Sequence, residues 1–318
     1  MNHDLIIGHN SHIYSVVKDW GRLDASRYPV KDCHEMIMDS KGRLFMLTNE
    51  TKNNILVYNK SGELEAAWGN EYPGAHGLTI SNENGREFLF ITDVERHQVF
   101  KTDLEGKVIQ VIGFPKGSGE YATAAQYKPT ETAIAPNGDI YITDGYGLQF
   151  VIQYNSRGEY IRHWGGRGDE DAQFDCVHGI TIDNRNAEES ILLITSRNHT
   201  AIKKFTREGK YLGKIELPGS YICRPVVHKK NIYCAVFRSV SNQNVGSGYI
   251  TILDENNLVV SSPGATSPVY IKGILQAQEK SGNTFIHPHD VCVDDDDNLY
   301  IPQWNSGNTY PVKLKRIQ

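Results

Sequence analysis

The sequence predicts an all-β protein, a six-bladed β-propeller whose last blade is completed by a strand from the N-terminus. Three observations carry this prediction. A unit of four short strands recurs along the chain at periods of about 40–50 residues, the range typical of propellers. The last unit stops after three strands, and residues 1–21 contain a strand that belongs to no unit. Pairing of these two ends closes a ring and removes exposed sheet edges.

The clearest unit spans residues 76–113. Its strands show apolar residues at alternate positions or short apolar runs, such as the run 88–91. Turns rich in Asn, Glu and Gly separate the strands, for example at 82–85 and 105–106. An alternation of period two bounded by such turns is the pattern of antiparallel strands. This unit therefore serves as the template for the others.

We expect six such units in a single domain over residues 1–318. The resulting blades cover approximately residues 33–69, 76–113, 129–165, 178–216, 224–261 and 289–316 plus 5–21. The N-terminal strand, followed by Asp19-Trp20-Gly21, matches the ending of the third unit at His163-Trp164-Gly165. The fifth unit is the least regular. The spacing of glycines and turns resembles that of NHL repeats.

The composition argues against several classes of function. The chain is 39% hydrophobic and 22% charged, with a formal net charge of −5. Nucleic-acid-binding proteins present basic faces, so this balance indicates no nucleic-acid partner. No apolar run reaches the length of a membrane span, and the N-terminus lacks the features of a signal peptide. Five scattered cysteines without a CxxC pair favour a reduced, cytoplasmic setting.

Histidine recurs at the start of the innermost strand, which lines the channel of a propeller. It occupies this position in four units, as His34, His76, His178 and His289. Units two, four and six alternate around the ring, so the last three of these histidines are expected to face one point on the axis. Three imidazoles with a fourth position open is the arrangement of catalytic zinc sites. Two alternatives remain open: a water-filled channel that tolerates histidine, and a four-histidine iron site.

The loops after the second strand of each unit are expected at the same mouth of the channel. Tyr146 lies in this loop in unit three, flanked by glycines, and Arg197 lies in the equivalent loop of unit four. Tyr146 is a candidate general base if a cation, Zn²⁺ or Arg197, lowers its pKa. The alternatives are a plain loop aromatic and a surface ion pair. Arg96 and His97 in unit two, together with His34, are candidate substrate-binding residues.

At these residues the sequence resembles the lyase module of peptidylglycine α-amidating enzymes, peptidyl-α-hydroxyglycine α-amidating lyase. The resemblance covers units two, three, four and six. It rests on five short motifs: HGL at 76–78, TDGY at 143–146, HGI at 178–180, SR at 196–197 and PHD at 288–290. Each motif falls at the start of an inner strand or in a loop at the predicted mouth.

The resemblance implies two metal sites. Zn²⁺, or another divalent transition metal, is expected on three histidines: His76, His178 and His289. Tyr146 is then the base that takes the hydroxyl proton, and Arg197 lies beside it. A structural Ca²⁺ is expected deeper in the channel, on Asp290 and the backbone carbonyl of Leu78. The residues also favour this ion, because the sequence reveals no arginine partner for Asp290 and Ca²⁺ prefers oxygen ligands. A carboxylate paired with amides of a neighbouring blade is the alternative.

Three departures limit what the resemblance implies about the substrate. The disulfide-forming cysteines of the family are absent, and Gly147 follows the tyrosine where a cysteine is expected. His287 replaces the methionine expected before the PH motif, which makes it a candidate substrate-binding residue or an additional ligand. The arginine expected in unit one has no clear counterpart, with Lys31 or Arg27 as substitutes.

We therefore expect a metal-dependent lyase that cleaves a C–N or C–O bond of a small hydroxylated, hemiaminal-like substrate, with tyrosine as the base. Two alternatives stay open. One is a non-catalytic NHL propeller that binds a protein or a glycan, since a fold does not give a function. The other keeps the metal but changes the reaction to hydrolysis or isomerisation of a lactone or sugar derivative. The expected partner is a small molecule, with neither nucleic acid nor membrane.

Overall fold

The computed structural model describes residues 5–186, 189–239, 247–305 and 307–317, and its regular structure is almost entirely β-strand. The chain begins with the hairpin β1 (Ile6–His9) and β2 (His12–Val17). Blades 1 to 3 follow, with β3 (Cys33–Met38), β4 (Leu44–Thr48), β5 (Ile55–Tyr58) and β6 (Leu64–Trp68), then β7 (Ala75–Glu83), β8 (Arg86–Asp93), β9 (Gln98–Thr102) and β10 (Val108–Ile112), then β11 (Glu131–Ile134), β12 (Ile140–Thr143), β13 (Phe150–Tyr154) and β14 (Tyr160–Gly165).

Three further blades and a short hairpin complete the described chain. Blades 4 and 5 contain β15 (Val177–Asp183), β16 (Ile191–Ser196), β17 (Ala201–Phe205) and β18 (Tyr211–Glu216), then β19 (Ser220–His228), β20 (Asn231–Ser239), β21 (Tyr249–Leu253) and β22 (Val259–Ser261). A short hairpin, β23 (Tyr270–Ile271) and β24 (Ile274–Leu275), lies in the connection between blades 5 and 6. Blade 6 contains β25 (Cys292–Val293), β26 (Leu299–Ile301) and β27 (Val312–Arg316).

Six antiparallel sheets form the blades of a propeller, as predicted. In blades 1 to 5 four strands pair in chain order from the inside of the ring outwards. The inner strands of neighbouring blades contact one another, for example β3 with β7, β7 with β11 and β11 with β15. These strands therefore surround a central channel, and their side chains face residues of other blades across it.

The N-terminal hairpin closes the ring. In blade 6 the order is β25, β26, β27, β2, β1, so that the first strands of the chain complete the last sheet. Val16 of β2 lies opposite Leu314 of β27 in antiparallel register. The predicted closure by an N-terminal strand is confirmed, and β1 extends this blade to five strands. Because the first and last strands share one sheet, neither is left as an open edge inside the ring.

The apolar core is divided among the six interfaces between adjacent blades. In β4, Leu44 and Met46 pack against blade 6, whereas Phe45 and Leu47 pack against blade 2. Alternate residues therefore enter different clusters, because side chains of a strand point to opposite faces of its sheet. The described residues form six such clusters, one at each interface. This packing holds the inner strands in place around the channel.

Helical structure is confined to two 3-10 turns, Lys116–Ser118 and Ala124–Gln126, in the parts of the chain that the structure describes. Both lie in the connection between blades 2 and 3. Over the same residues, no helix has the length and apolar character needed to cross a membrane.

Candidate active site and metal centre

Bulges in the inner strands turn the channel histidines out of their sheets. In β7 the register with β8 shifts between Ala75 and Leu78, so that His76 and Gly77 leave the regular ladder. The freed N–H of Gly77 donates to the Thr92 hydroxyl at 2.6 Å, which replaces the lost ladder bond. The same arrangement recurs in blade 4, with His178, Gly179 and Thr195.

A glycine after the histidine lets the next blade approach closely. A Cβ atom on Gly77 would lie 2.5 Å from the carbonyl oxygen of Thr130, so no side chain fits there. This carbonyl accepts the Nδ1–H of His76 at 2.8 Å. The arrangement repeats in blade 4, with Gly179, the Cys223 carbonyl and His178. In each HG pair, the glycine therefore allows the next blade to approach, and the carbonyl of that blade fixes the orientation of the imidazole.

The same backbone bonds determine the tautomer of these rings. A carbonyl oxygen can only accept, so the hydrogen-bonded Nδ1 carries the proton in His76 and His178. The same holds for His289, whose Nδ1 lies 3.0 Å from the carbonyl oxygen of His34. In each neutral ring Nε2 then bears the lone pair. The centroids of the three rings lie 4.7 to 5.1 Å apart, so the structure brings the three predicted ligands together.

This donor set fits a divalent transition metal. The Nε2 atoms of His76 and His178 are 3.2 Å apart, and two lone pairs at that distance repel unless a proton or cation lies between them. Burial, reinforced by the neighbouring cationic and imidazole groups, lowers the pKa of His76, His178 and His289 well below its ordinary value. A neutral imidazole that donates its other N–H to a carbonyl is the form in which histidine binds zinc.

The structure adds two donors to this cluster. The ring of His34 lies 4.6 Å from that of His76 and 4.8 Å from that of His289, and burial lowers its pKa to about 3. Among the described residues, His34 Nδ1 has no hydrogen-bond partner. Ligand atoms of His34, His76 and His289 lie within 4.8 Å of one another, as do those of His178, Cys223 and His289. His34 thus lies among the potential ligands, and sequence analysis missed Cys223.

Tyr146 lies in the turn after β12, with its hydroxyl over the histidines. The hydroxyl oxygen is 3.1 Å from Nε2 of both His76 and His178. The residue is 41% exposed, but its hydroxyl end contacts buried rings, and this local burial raises the pKa of Tyr146 to about 12. Arg197 opposes the rise only in part. Arg197 therefore does not suffice to lower the pKa of Tyr146, and a role as base requires a second cation.

Two arginines lie beside one aromatic ring at this end of the channel. Arg197 is 6% exposed, which excludes the surface ion pair considered for it. Its Nη2 donates to Cys223 Sγ at 3.0 Å, and its guanidinium lies 5.0 Å from the centre of the Phe237 ring. Arg238, at the end of β20, lies 4.6 Å from the same ring, and its buried Nε has no partner among the described residues. Sequence analysis missed Arg238, which is suited to bind a carboxylate.

The Asp144 carboxylate organises the turn that carries Tyr146. It accepts hydrogen bonds from the Tyr121 hydroxyl at 2.7 Å and from the backbone N–H groups of Lys128 and Leu148 at 2.7 and 2.6 Å. Desolvation raises the pKa of Asp144 to about 6, although these donors oppose the rise. The turn is therefore tied to a carboxyl group whose protonation changes near neutral pH.

Replacement of Asp144 with Asn is expected to change how stability depends on pH. The rise in the pKa of Asp144 from 3.8 to about 6 corresponds to about 3 kcal/mol. Because the folded state holds this proton more tightly, the contribution is complete below pH 3.8 and is lost as the pH rises through about 6. From pH 4 to 7 the wild-type free energy of unfolding should therefore fall by up to about 3 kcal/mol relative to Asp144→Asn. Urea unfolding of both proteins measures this difference, and parallel pH profiles would contradict it.

Arg96 and His97, expected to bind substrate, are not brought to the histidines. Arg96 is exposed, and its guanidinium packs over the ring of Phe100, 4.3 Å from the ring centre. His97 has a left-handed backbone, with φ of 57°, and its Nδ1 donates to the Tyr127 carbonyl at 2.7 Å. The left-handed turn ends the alternation of the strand, so the direction of these side chains did not follow from the sequence pattern.

His287 lies in the wall of the same mouth without joining the predicted ligands. It is buried, and its Nδ1 donates to the Phe237 carbonyl at 3.1 Å. Its ring lies 5.2 Å from the Phe237 ring, which in turn lies 6.4 Å from the ring of His289. Phe237 therefore links His287 to the cluster, and neither of the two potential ligand groups includes His287.

A layer of charged side chains follows the histidine layer along the inner strands. Arg224 of β19 donates to both carboxylate oxygens of Asp290, at 3.1 and 2.6 Å, and to the Leu78 carbonyl at 3.1 Å. Glu35 and Glu131 lie 3.2 and 3.4 Å from its Nη1. The expectation that Asp290 lacks an arginine partner is wrong, because the partner comes from another blade. A guanidinium occupies the position expected for Ca²⁺, and the site does not fit that ion while Arg224 fills it.

Comparison with protein-family models finds no match for this chain. Among curated proteins, it is 36% identical over 111 residues to peptidyl-alpha-hydroxyglycine alpha-amidating lyase 1 of Drosophila melanogaster, over 33% of this chain and 19% of that protein. It is 28% identical over 167 residues to NHL repeat-containing protein 3 of Homo sapiens, over 50% and 47% of the two chains. A probable lyase of the first kind from Caenorhabditis elegans is 29% identical over 134 residues, 41% of this chain and 36% of its own.

Solved structures share the whole architecture at low identity. A gluconolactonase from Xanthomonas campestris superimposes with a TM-score of 0.63 at 12% identity, over 99% of this chain and 95% of its own. A streptogramin B lyase gives 0.58 at 13% identity, over 90% and 94% of the two chains. These likenesses show the propeller fold alone. In sequence, the chain is similar to peptidyl-α-hydroxyglycine α-amidating lyases and to NHL repeat-containing proteins, as the motifs predicted. The matched segments span less than half the length of each of these curated relatives.

Proposed function

We propose that this protein is a metal-dependent lyase that converts an N-acylated α-hydroxyglycine, or a closely related hemiaminal, into an amide and glyoxylate. The observation that carries the proposal is the position of the Tyr146 hydroxyl, 3.1 Å from the Nε2 atoms of two histidines whose Nδ1–H groups are tied to carbonyls. The sequence similarity to peptidyl-alpha-hydroxyglycine alpha-amidating lyases supports the same reaction class.

We assign the metal to His76, His178 and His289, because their rings lie 4.7 to 5.1 Å apart. The ligand atoms that lie within 4.8 Å of one another form two overlapping groups, His34 with His76 and His289, and Cys223 with His178 and His289, so His34 and Cys223 are nearby additional donors. When bound, the ion supplies Lewis-acid polarisation of a substrate oxygen and a positive charge that favours the ionised form of a neighbouring phenol. The protein contributes orientation: backbone carbonyls hold the imidazoles, which are themselves buried. Such preorganised groups stabilise charge that develops in the transition state.

The chemistry requires one proton to leave oxygen and one to reach nitrogen. Tyr146 takes the proton of the substrate hydroxyl, and the oxygen electron pair forms the new C=O bond as the N–Cα bond breaks. The electron pair of that bond stays on nitrogen, which takes up a proton and leaves as the amide. The proton on the Tyr146 hydroxyl can be returned in this step, so the reaction is balanced without a further reactant. General acid–base assistance of this kind contributes about 10²–10⁴ in rate.

Arg197 and Arg238 are assigned to the substrate carboxylate. Both guanidinium groups lie over Phe237 beside the histidine cluster, and the Nε of Arg238 is buried without a partner among the described residues. A carboxylate bound there would receive charge-assisted hydrogen bonds.

The test combines metal analysis with a defined substrate. Purified protein is expected to carry about one zinc or another transition metal per chain, as a three-histidine site does. N-benzoyl-α-hydroxyglycine is expected to yield benzamide and glyoxylate in equal amounts, in a reaction lost on chelation and restored by the metal. Metal-loaded protein that produces neither compound above the buffer rate would overturn the lyase proposal.

Parallel assays separate the alternatives. Hydrolysis of a sugar lactone by the metal-loaded protein, without amide release, would favour a lactone hydrolase on the same site. A protein that binds no transition metal and turns over neither substrate would favour a binding propeller. Metal content separates an enzyme from a binding propeller, because a binding propeller needs no cluster of neutral, buried imidazoles at the channel.

A further inference from the structure

The charged layer below the histidines is built around one guanidinium group. Arg224 enters the channel at the bulge of β19, where the register with β20 shifts between Ile222 and Pro225. Its side chain is 9% exposed, and that of its partner Asp290 is fully buried. Gly179 of the preceding blade makes room for it, since a Cβ atom there would lie 2.6 Å from the Arg224 Cα atom. The arginine is therefore placed by the same type of bulge that presents the histidines.

Among the residues that the structure describes, the hydrogen-bond and ion-pair partners of this guanidinium are oxygen acceptors from other blades. They are the carboxylates of Glu35 in blade 1, Glu131 in blade 3 and Asp290 in blade 6, and the carbonyl of Leu78 in blade 2. Three carboxylates and a carbonyl at the centre of a ring form the donor set that hard divalent cations prefer. Without a cation, these acids would repel one another in a buried environment.

Arg224 leaves part of the acceptor capacity of this layer unused. Oε2 of Glu131 has no hydrogen-bond partner among the described residues, although it lies 3.4 Å from Arg224 Nη1. The guanidinium of Arg224 thus contacts three carboxylates, and its removal would leave a group of buried oxygen atoms suited to bind a cation.

We propose that Arg224 is a built-in cation that replaces a bound Ca²⁺ at the centre of the channel, so that the fold of this protein is independent of calcium. The side chain ties blade 5 to blades 1, 2, 3 and 6 through the contacts above. It performs the crosslinking that a metal ion would perform, without an ion that can dissociate. The proposal concerns the charged layer alone and stands whether or not the histidine site is catalytic.

The first test uses the wild-type protein. The protein is passed over a chelating resin and reconstituted with zinc alone, and elemental analysis is then expected to find less than about 0.1 calcium per chain. Addition of millimolar CaCl₂ is expected to shift Tm by less than about 1 °C, because an ion that does not bind the folded state cannot stabilise it. Stoichiometric calcium, or a Tm that rises with CaCl₂, would overturn the proposal.

The second test removes the guanidinium and keeps its acceptors. Arg224→Ser is expected to lower Tm by about 5–10 °C in the absence of calcium, since breaking a buried ion pair leaves uncompensated charge. Millimolar CaCl₂ should restore a large part of this loss, and MgCl₂ less, because Mg²⁺ demands a smaller octahedral site. A folded variant whose Tm does not respond to calcium would refute the proposal that the Arg224 guanidinium replaces Ca²⁺.

Arg185→Ser provides the matched control. Arg185 forms a largely buried ion pair with Asp183, 2.8 Å apart, in the turn between β15 and β16 of blade 4. Its loss should lower Tm without creating any response to CaCl₂. Arg224→Lys, which keeps a cation in the layer, should be less destabilised than Arg224→Ser and insensitive to calcium. If Arg224→Ser does not fold at all without calcium, refolding in CaCl₂ supports the proposal, and failure of that refolding opposes it.

Discussion

Replacement of Tyr146 with Phe is expected to lower kcat for an N-acyl-α-hydroxyglycine by about 10²–10⁴ while the metal content stays unchanged. The substitution removes only the hydroxyl oxygen, which lies 3.1 Å from Nε2 of His76 and of His178. The imidazoles keep their bonds to backbone carbonyls, so the metal site should remain intact. Steady-state kinetics of the metal-loaded variant, together with elemental analysis, measure the two effects separately.

The matched control is Tyr160→Phe in the same blade. The Tyr160 hydroxyl also bonds to a histidine, Nδ1 of His163 at 2.7 Å, but on the outermost strand of the sheet. This control should retain wild-type kcat. Wild-type turnover in Tyr146→Phe would remove the assigned base, and an equal loss in both variants would show that the effect is structural.

Replacement of His178 with Ala is expected to abolish transition-metal binding and, with it, turnover. Loss of even an outer partner of a ligating histidine costs about 10–100-fold in metal affinity, so removal of the ligand should cost more. His178 is the ring whose Nε2 lies 3.2 Å from that of His76. Competition with a zinc-buffering chelator measures the affinity, and circular dichroism confirms that the variant is folded.

His287→Ala is the control for this prediction. His287 is a buried histidine in the same mouth, but its Nδ1 bonds to the Phe237 carbonyl and it belongs to neither potential ligand group. Its replacement should leave zinc affinity at the wild-type value. Undiminished zinc affinity in His178→Ala, or an equal loss in His287→Ala, would contradict the assignment of the ligands.

Local sequence patterns sufficed for the blades and for the repeated histidines. The continuous apolar run of β4 indicates burial on both faces of the strand, and glycine-containing turns mark where strands end. The HG pairs at His76 and His178 repeat because each needs the same bulge and the same close approach of the next blade. Because the HG pair is repeated, the sequence alone identified His76 and His178 as candidate site residues without knowledge of their contacts.

Two residues that sequence analysis missed, Cys223 and Arg224, fall at a repeat position already identified in another blade. Cys223 and Arg224 occupy the bulge of blade 5, the position of His178 and Gly179 in blade 4. No similarity in side chain indicates this equivalence, since a thiol replaces an imidazole and an arginine replaces a glycine. The direction of the Arg96 side chain, which packs over Phe100, was also not predictable from the sequence, because it depends on the turn after β8 and not on strand alternation.

The sequence by itself determined the number of blades, the closure of the ring by both ends of the chain, and the presence of histidines on the channel in alternate blades. Only the tertiary structure decided the partners across the channel. Arg224 and Asp290 lie 66 positions apart on different blades, and their ion pair exists because six inner strands meet around one axis. Contacts of this kind depend on the bulges and on the packing between blades, and periodicity along a single strand contains no information about either.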